Sequence, residues 1–254
     1  MQRGGALGGL RADVNTKPDR SSADTVRGHG AARLASLALL AVLVGVALAA
    51  ATGLGFSRSV TPGLVARYAA KFGPDAGARI GGWQQFMRSI AAKQRPGNEL
   101  ELLGPVNVFF NRLPFLSDQV HWGVEDYWAT PAEAVASNGA DCEDFSIAKY
   151  FALKELGVPI ERLRITYVKS VSLNQAHMVL AYYSEPNAEP LILDNLENQV
   201  RPASQRPDLI PVYSFNDEDL LIARPGQQGI SAGSASQIRM WAGLQDKLKQ
   251  ELRY

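Results

Sequence analysis

The spacing of apolar residues changes once along this chain, at Gly157-Val158-Pro159. Before that point they recur every three or four residues, the period of a helix with one buried face. After it they fall in short β-branched or aromatic runs bounded by turn residues, the signature of strands. Helices first and strands second specify an α+β fold, with an N-terminal helical lobe packed on an antiparallel sheet.

The helical half reads as segments over residues 62–72, 82–95 and 99–110. In the second, Trp83, Phe86, Met87, Ile90 and Ala91 share one face, and Pro96-Gly97-Asn98 ends it. Pro105 in the third requires a kink or a place in the first turn. Residues 111–130 form an aromatic, loop-rich stretch. Thr130-Pro131-Ala132-Glu133 then starts a helix, with Thr at the N-cap, Pro at N1 and an acid at N3. A longer helix is expected from about 142 to 156, with Phe145, Ala148, Ala152 and Leu156 as its apolar stripe. Gly157 fits its C′ position and Pro159 follows. Strands are expected at 163–168, 177–183 and 191–194, with 212–216 and 219–224 as further candidates. Residues 236–254 make an amphipathic tail built on Ile238, Trp241, Leu244, Leu248 and Leu252.

The N-terminus is of another kind. Residues 1–33 are rich in Gly, Ala, Ser, Asp and Arg, a composition that cannot bury enough surface to order itself. Residues 34–54 carry no charge, and 21 residues of helix can cross a bilayer core of about 30 Å. Arg27 and Arg33 precede that run, which puts the leader in the cytoplasm and everything after about residue 55 outside it. Small residues at Ala47, Ala49 and Ala51 fit a signal-peptidase site, while the length of the run fits a retained anchor; both readings stand. Residues 55–80 then read as a linker with a short helix, 81–225 as the main domain and 226–254 as the tail. A net charge of +1 without a basic cluster excludes a nucleic-acid footprint.

An exported chain with one cysteine has no internal disulfide, and a lone thiol there is a liability unless it has chemistry to do. Cys142 falls where a loop enters a helix. Unpaired N–H groups and the positive end of the helix dipole stabilise a thiolate at such a place. The other reading is a small buried apolar residue, the common fate of free cysteine. A thiolate nucleophile needs a base, and the base an orienting group. The exported part holds two histidines. His177 begins one expected strand and Asp194 ends the next, so adjacent antiparallel strands can set imidazole beside carboxylate. His121, in the aromatic loop, is assigned a structural or surface place.

Asp141, Glu143 and Asp144 crowd Cys142. Unpaired, they raise the thiol's pKa and oppose the thiolate. A bound hard cation reverses that balance, and calcium suits oxygen ligands outside the cytoplasm. Helix capping accounts for the same residues, with Asp141 as N-cap and Glu143 and Asp144 in the first turn.

Gly139-Ala140-Asp141-Cys142-Glu143-Asp144-Phe145, Gln175-Ala176-His177-Met178-Val179 and Leu193-Asp194-Asn195-Leu196 together resemble the bacterial transglutaminase-like cysteine proteinases. Supporting strings are Asp126-Tyr127-Trp128-Ala129-Thr130-Pro131 and Pro211-Val212-Tyr213-Ser214-Phe215-Asn216. The resemblance implies a papain-like, transglutaminase-like core with Cys142, His177 and Asp194 as nucleophile, base and orienting acid. It ties Asp141 and Glu143 to calcium dependence, with Asp144 either a further ligand or structural. It also implies a periplasmic peptidase, tethered to the inner membrane or free according to the fate of residues 34–54, whose substrate is a large repeat adhesin cut near its N-terminus at a small-residue site. Its expected partner is an inner-membrane LapD-like receptor for cyclic di-GMP, and its expected effect is biofilm release. A transglutaminase or amidase with the same triad, and a non-catalytic calcium-responsive binding domain, are the alternatives.

Overall fold

The computed structural model describes residue 57 and residues 60–253, apart from Pro96, Pro225 and Gly226. The expectations for residues 1–54 lie outside the described residues. Among those described, no helix is long and apolar enough to cross a membrane.

Among the described residues, six α-helices come first: α1 (Pro62–Phe72), α2 (Ala76–Lys93), α3 (Leu100–Phe110), α4 (Asp118–His121), α5 (Pro131–Ser137) and α6 (Cys142–Glu155). Seven strands follow: β1 (Leu163–Ser170), β2 (Gln175–Tyr182), β3 (Leu191–Asp194), β4 (Glu197–Pro202), β5 (Leu209–Phe215), β6 (Asp219–Arg224) and β7 (Gln227–Ser234). A last helix, α7 (Arg239–Glu251), closes the chain. The strands form one sheet in the order β4-β3-β2-β1-β5-β6-β7, and every neighbouring pair is antiparallel. The α+β expectation holds.

Local chemistry starts and stops the elements as the residues predict. Thr130 caps α5 through its hydroxyl, and the Glu133 side chain returns to the Thr130 N–H, completing a capping box. Gly157 sits at φ 88°, ending α6 in the left-handed region that costs glycine nothing. Pro105 does not take the first-turn place. It is the sixth residue of α3, past the first turn. Both Pro105 and Glu101, whose carbonyl it leaves without an amide partner, are exposed, so water can take that bond. Strands β4 and β7 have no apolar signature and were not expected. The register between β6 and β7 shifts twice, between Leu220 and Leu221 and between Ile222 and Arg224. Gly229, opposite the second shift, has φ 105°, and a Cβ there would lie 2.6 Å from the Ile222 carbonyl oxygen.

Helix α6 is more deeply set than its apolar stripe implied. Every residue from Asp144 to Leu153 is buried, so the helix is surrounded rather than amphipathic. It packs on β2 and β1 on one side and on α3 and α5 on others. The segments on either side of the expected domain are part of the same core. Leu64 and Tyr68 of α1 are buried in it, as are Trp241, Leu244 and Leu248 of α7. Trp241 stacks on Phe151 at 5.8 Å and meets Phe215 edge-on at 5.2 Å. A second, smaller apolar cluster of Val168, Val179, Ala181 and Ile192 lies apart from this core.

The two ends of the described chain meet through a buried polar cluster. Glu251 Oε1 accepts hydrogen bonds from the Tyr68 hydroxyl of α1 and from Thr130 Oγ1 at 2.6 Å. Burial, reinforced by nearby Glu133, pushes the Glu251 carboxyl up to about 7. The folded protein therefore holds a proton that the unfolded chain releases near pH 4.5, and stability falls as pH rises from about 4.5 to about 7. Glu251→Gln removes that slope. Urea unfolding should find the variant gaining on wild type between pH 5 and pH 8, by up to about 3 kcal/mol.

Candidate active site

Cys142 is the first residue of α6 and is partly buried. Its position follows from the segment before it. Asn138 ends α5 in the left-handed conformation at φ 59°, and Ala140 pairs with Phe115 in an isolated bridge, so the chain enters α6 extended at Asp141. Gly139 eases that passage. A Cβ there would lie 2.6 Å from Leu116 Cδ1 and 2.7 Å from His121 Cε1. The Met178 backbone N–H of β2 points at the Cys142 sulfur, which brings the helix start against the strand that carries His177.

His177 Nε2 and Asp194 Oδ1 are 2.8 Å apart, and both side chains are buried. Asp194 also keeps the local turn role its sequence suits. It is the last residue of β3, pairs with Glu197 across a two-residue turn, and accepts the Leu196 N–H at 3.1 Å. Asn111, which follows α3, donates to the Asp194 carbonyl at 2.9 Å. The other carboxylate oxygen, Oδ2, accepts from Arg206 Nη2 at 2.8 Å. Burial alone would raise the Asp194 carboxyl; the hydrogen bonds from His177, Leu196 and Arg206 outweigh it and bring it down to about 2. Asp194 is thus a fixed anion at any working pH. Lys149, fully buried on α6, is lowered to about 7 by burial, against the pull of the nearby Asp194 charge.

The carboxylates near the thiol separate into two groups. Asp118, Asp141 and Glu143 each present an oxygen within 4.8 Å of the others. Asp118 Oδ2 accepts the Tyr127 N–H at 2.6 Å, while its Oδ1 and the Oδ1 of Asp141 are buried without a partner. Asp141 stands at the N-cap position but its side chain caps nothing, which removes the capping account of that residue. Burial and the charges of Glu143, Asp144 and Asp118 push Asp141 up to about 10, so at neutral pH the cluster needs a proton or a cation. Asp144 points elsewhere. Its Oδ1 accepts the Ala129 N–H at 2.7 Å, bracing the strand of chain that leads into Thr130. Its Oδ2, like the Oδ1 atoms of Asp118 and Asp141, is buried without a partner. Among the described residues the close group of oxygens comprises Asp118, Asp141 and Glu143 and does not include Asp144. Glu143 also touches the nucleophile candidate, with Oε2 2.6 Å from Cys142 Sγ. Burial first and the Glu143 charge second push the thiol well above its ordinary range.

His121 stays out of this arrangement, as its sequence context implied. Its Nε2 lies 2.8 Å from Ser137 Oγ and its ring meets Trp122 edge-on at 4.4 Å.

A model of the bacterial transglutaminase-like cysteine proteinase family, BTLCP, matches residues 86–209. Among solved structures, EGTA-treated LapG from Legionella pneumophila is 40% identical with a TM-score of 0.62, covering 72% of this chain and 95% of that one. The chain belongs to the bacterial transglutaminase-like cysteine proteinases. Calcium-bound LapG from the same organism is likewise 40% identical, with a TM-score of 0.61 and coverage of 72% of this proteinase and 97% of that chain. No curated protein matches it.

Two polar residues of the site escaped sequence reasoning. Asp118 opens a four-residue helix inside the aromatic stretch, with nothing in its spacing to link it to Asp141. Arg206 follows a short turn between β4 and β5, and only its nearness to Asp208 in sequence marks it. Gly139→Ala tests the steric part of the site. The proteinase variant should lose about 1–3 kcal/mol in denaturant unfolding as Leu116 and His121 are pushed aside.

Proposed function

We propose that this proteinase is a calcium-dependent periplasmic endopeptidase that cuts the N-terminal region of a large surface adhesin and so promotes biofilm release. Control would come from an inner-membrane cyclic di-GMP receptor of the LapD kind. The observation that carries the reading is one juxtaposition: the chain's single thiol starts a helix, faces the strand of a buried His177–Asp194 pair, and touches a cluster of three carboxylates. The 40% identity to LapG, over 95% of that chain, supports the same reading.

In this mechanism the Cys142 thiolate adds to the scissile carbonyl carbon, and the oxyanion is held in part by the Cys142 backbone N–H, free at the first position of α6. The C–N bond breaks as His177 gives its proton to the leaving amine. Water, deprotonated by the same imidazole, then cleaves the thioester and frees the thiol. Asp194 keeps the imidazole oriented and stabilises its cation without taking the proton.

Asp118, Asp141 and Glu143 fit a calcium ion. All the donors are oxygens, as a hard cation prefers, and two of those oxygens are buried without partners. The ion would act electrostatically, its charge offsetting the carboxylates beside the thiol. Residues 34–54, as signal peptide or anchor, support export to the periplasm.

The test mixes the proteinase with the N-terminal segment of a candidate adhesin from the same genome. Cleavage should occur in calcium and vanish with chelator or with Cys142→Ala. A thiol that alkylates no faster in calcium than in chelator, with no cleavage, sinks the reading. Two further variants separate the carboxylates. Asp118→Asn should raise the calcium needed for half-maximal cleavage about tenfold or more, read by calcium titration. Asp144→Asn should instead lower the melting temperature, with the calcium requirement little changed.

A further inference from the structure

Asp194 carries a negative charge on a side chain with no solvent exposure. Such a charge persists only where hydrogen bonds and opposite charge compensate it. Its two oxygens are served differently. Oδ1 takes both His177 Nε2 and the Leu196 N–H, whereas Oδ2 has Arg206 Nη2 at 2.8 Å. Arg206 is held from behind. Asp208 Oδ1 accepts its Nε at 3.0 Å and Asp208 Oδ2 its Nη2 at 2.9 Å, a forked pairing that sets the guanidinium plane. The Arg206 side chain is 10% exposed. Arg206 lines a cavity of about 80 Å³ together with Val168, Val179, Ala181 and Ile192 of the second apolar cluster.

We propose that Arg206, gripped by Asp208, is a positioning residue that fixes the plane of the Asp194 carboxylate and so keeps Oδ1 aimed at His177 Nε2. The terminal torsion of an aspartate is broad and roughly two-fold, so hydrogen bonds at one oxygen alone leave the carboxylate free to swing. A donor on the opposite oxygen stops that swing. Without it Oδ2 becomes a buried, unpaired anionic oxygen, and turning it toward His177 or the Leu196 N–H relieves the cost. The contact also crosses the sheet's connections. It ties the β3–β4 turn to the β4–β5 loop, so the imidazole's orientation is referred to three strands rather than one. Lysine is an incomplete substitute, because one ammonium cannot serve Asp194 and Asp208 with the same fixed fork. The inference rests on the triad reading above.

The test uses the full chain in calcium, with Arg206→Gln, Arg206→Met and Arg206→Lys. Methionine is included because Arg206 already lies among aliphatic side chains, so a folded variant is expected. Proton NMR reads the Nε2–H of His177, a downfield signal identified by its loss in His177→Gln. The signal should be sharp in wild type, broaden or vanish in the Gln and Met variants, and return in part with Lys. On the adhesin fragment, kcat should fall about 10–100-fold in Arg206→Met with KM within about twofold, and recover in part in Arg206→Lys. An unchanged Nε2–H signal and kcat in a folded Gln or Met variant overturns the proposal. So does global loss of spectral dispersion in both, which makes the contact a structural brace. Wild type that cuts nothing, or Cys142→Ala that cuts as well as wild type, defeats the triad reading instead, and the NMR signal still decides whether Arg206 positions Asp194.

Discussion

The burial of α6 on every side governs the rest of this structure. A helix packed against strands on one flank and helices on the others cannot rotate or slide without breaking close-packed contacts, so its first residue has a fixed place. That residue is Cys142. The approach is fixed as well. Asp144 ties the first turn of α6 to Ala129, and Gly139 lets the chain pass close to the Leu116 and His121 side chains, which a Cβ would push aside. Trp241 of α7 packs on Phe151 of this helix and on Phe215 of the sheet, so the last described helix contributes to the frame that holds the first atom of the chemistry.

Around that fixed thiol two electrostatic environments are set against each other. On one side three carboxylates crowd together, and burial with their neighbouring charges raises Asp118, Asp141 and the thiol. On the other a single carboxylate is compensated so fully that it stays ionised. The first environment is responsive, because a proton or a cation changes its charge. The second is not. Keeping them on separate elements, the α4–α6 side and the β3–β5 side, lets the protein change the charge beside the thiol without disturbing the partner of its histidine.

What was legible in the sequence was whatever depends on neighbours a few residues away. The Thr130 capping box, the Gly157 stop, the strands at β1 to β3 and the thiol at a helix start all follow from short-range chemistry, and the structure has them. The His177–Asp194 pairing was legible one level up, from two strand ends in succession. Asp118 and Arg206 were not. Each meets its partner because the fold brings distant segments together, and neither belongs to a periodic pattern. Strands β4 and β7 were hidden for a related reason. They are edge strands rich in Glu, Gln, Ser and Gly, and no apolar alternation runs along their sequences. The depth of α6 was hidden too, since Asp144, Ser146 and Lys149 are buried polar residues that a hydrophobicity pattern scores as surface.

The two register shifts between β6 and β7 bear on how copies of this protein behave toward one another. An open sheet ends in unpaired amides and carbonyls, and a flat edge of that kind recruits the edge of a second molecule. At one edge here the bulged pairing and the glycines of β7 bend the backbone out of the regular ladder, so a neighbouring strand cannot run along it in register. At the other, Glu197 and Arg201 of β4 pair across the exposed surface, placing charge where an incoming strand would lie. Both described margins of the sheet thereby carry features that oppose edge-to-edge pairing.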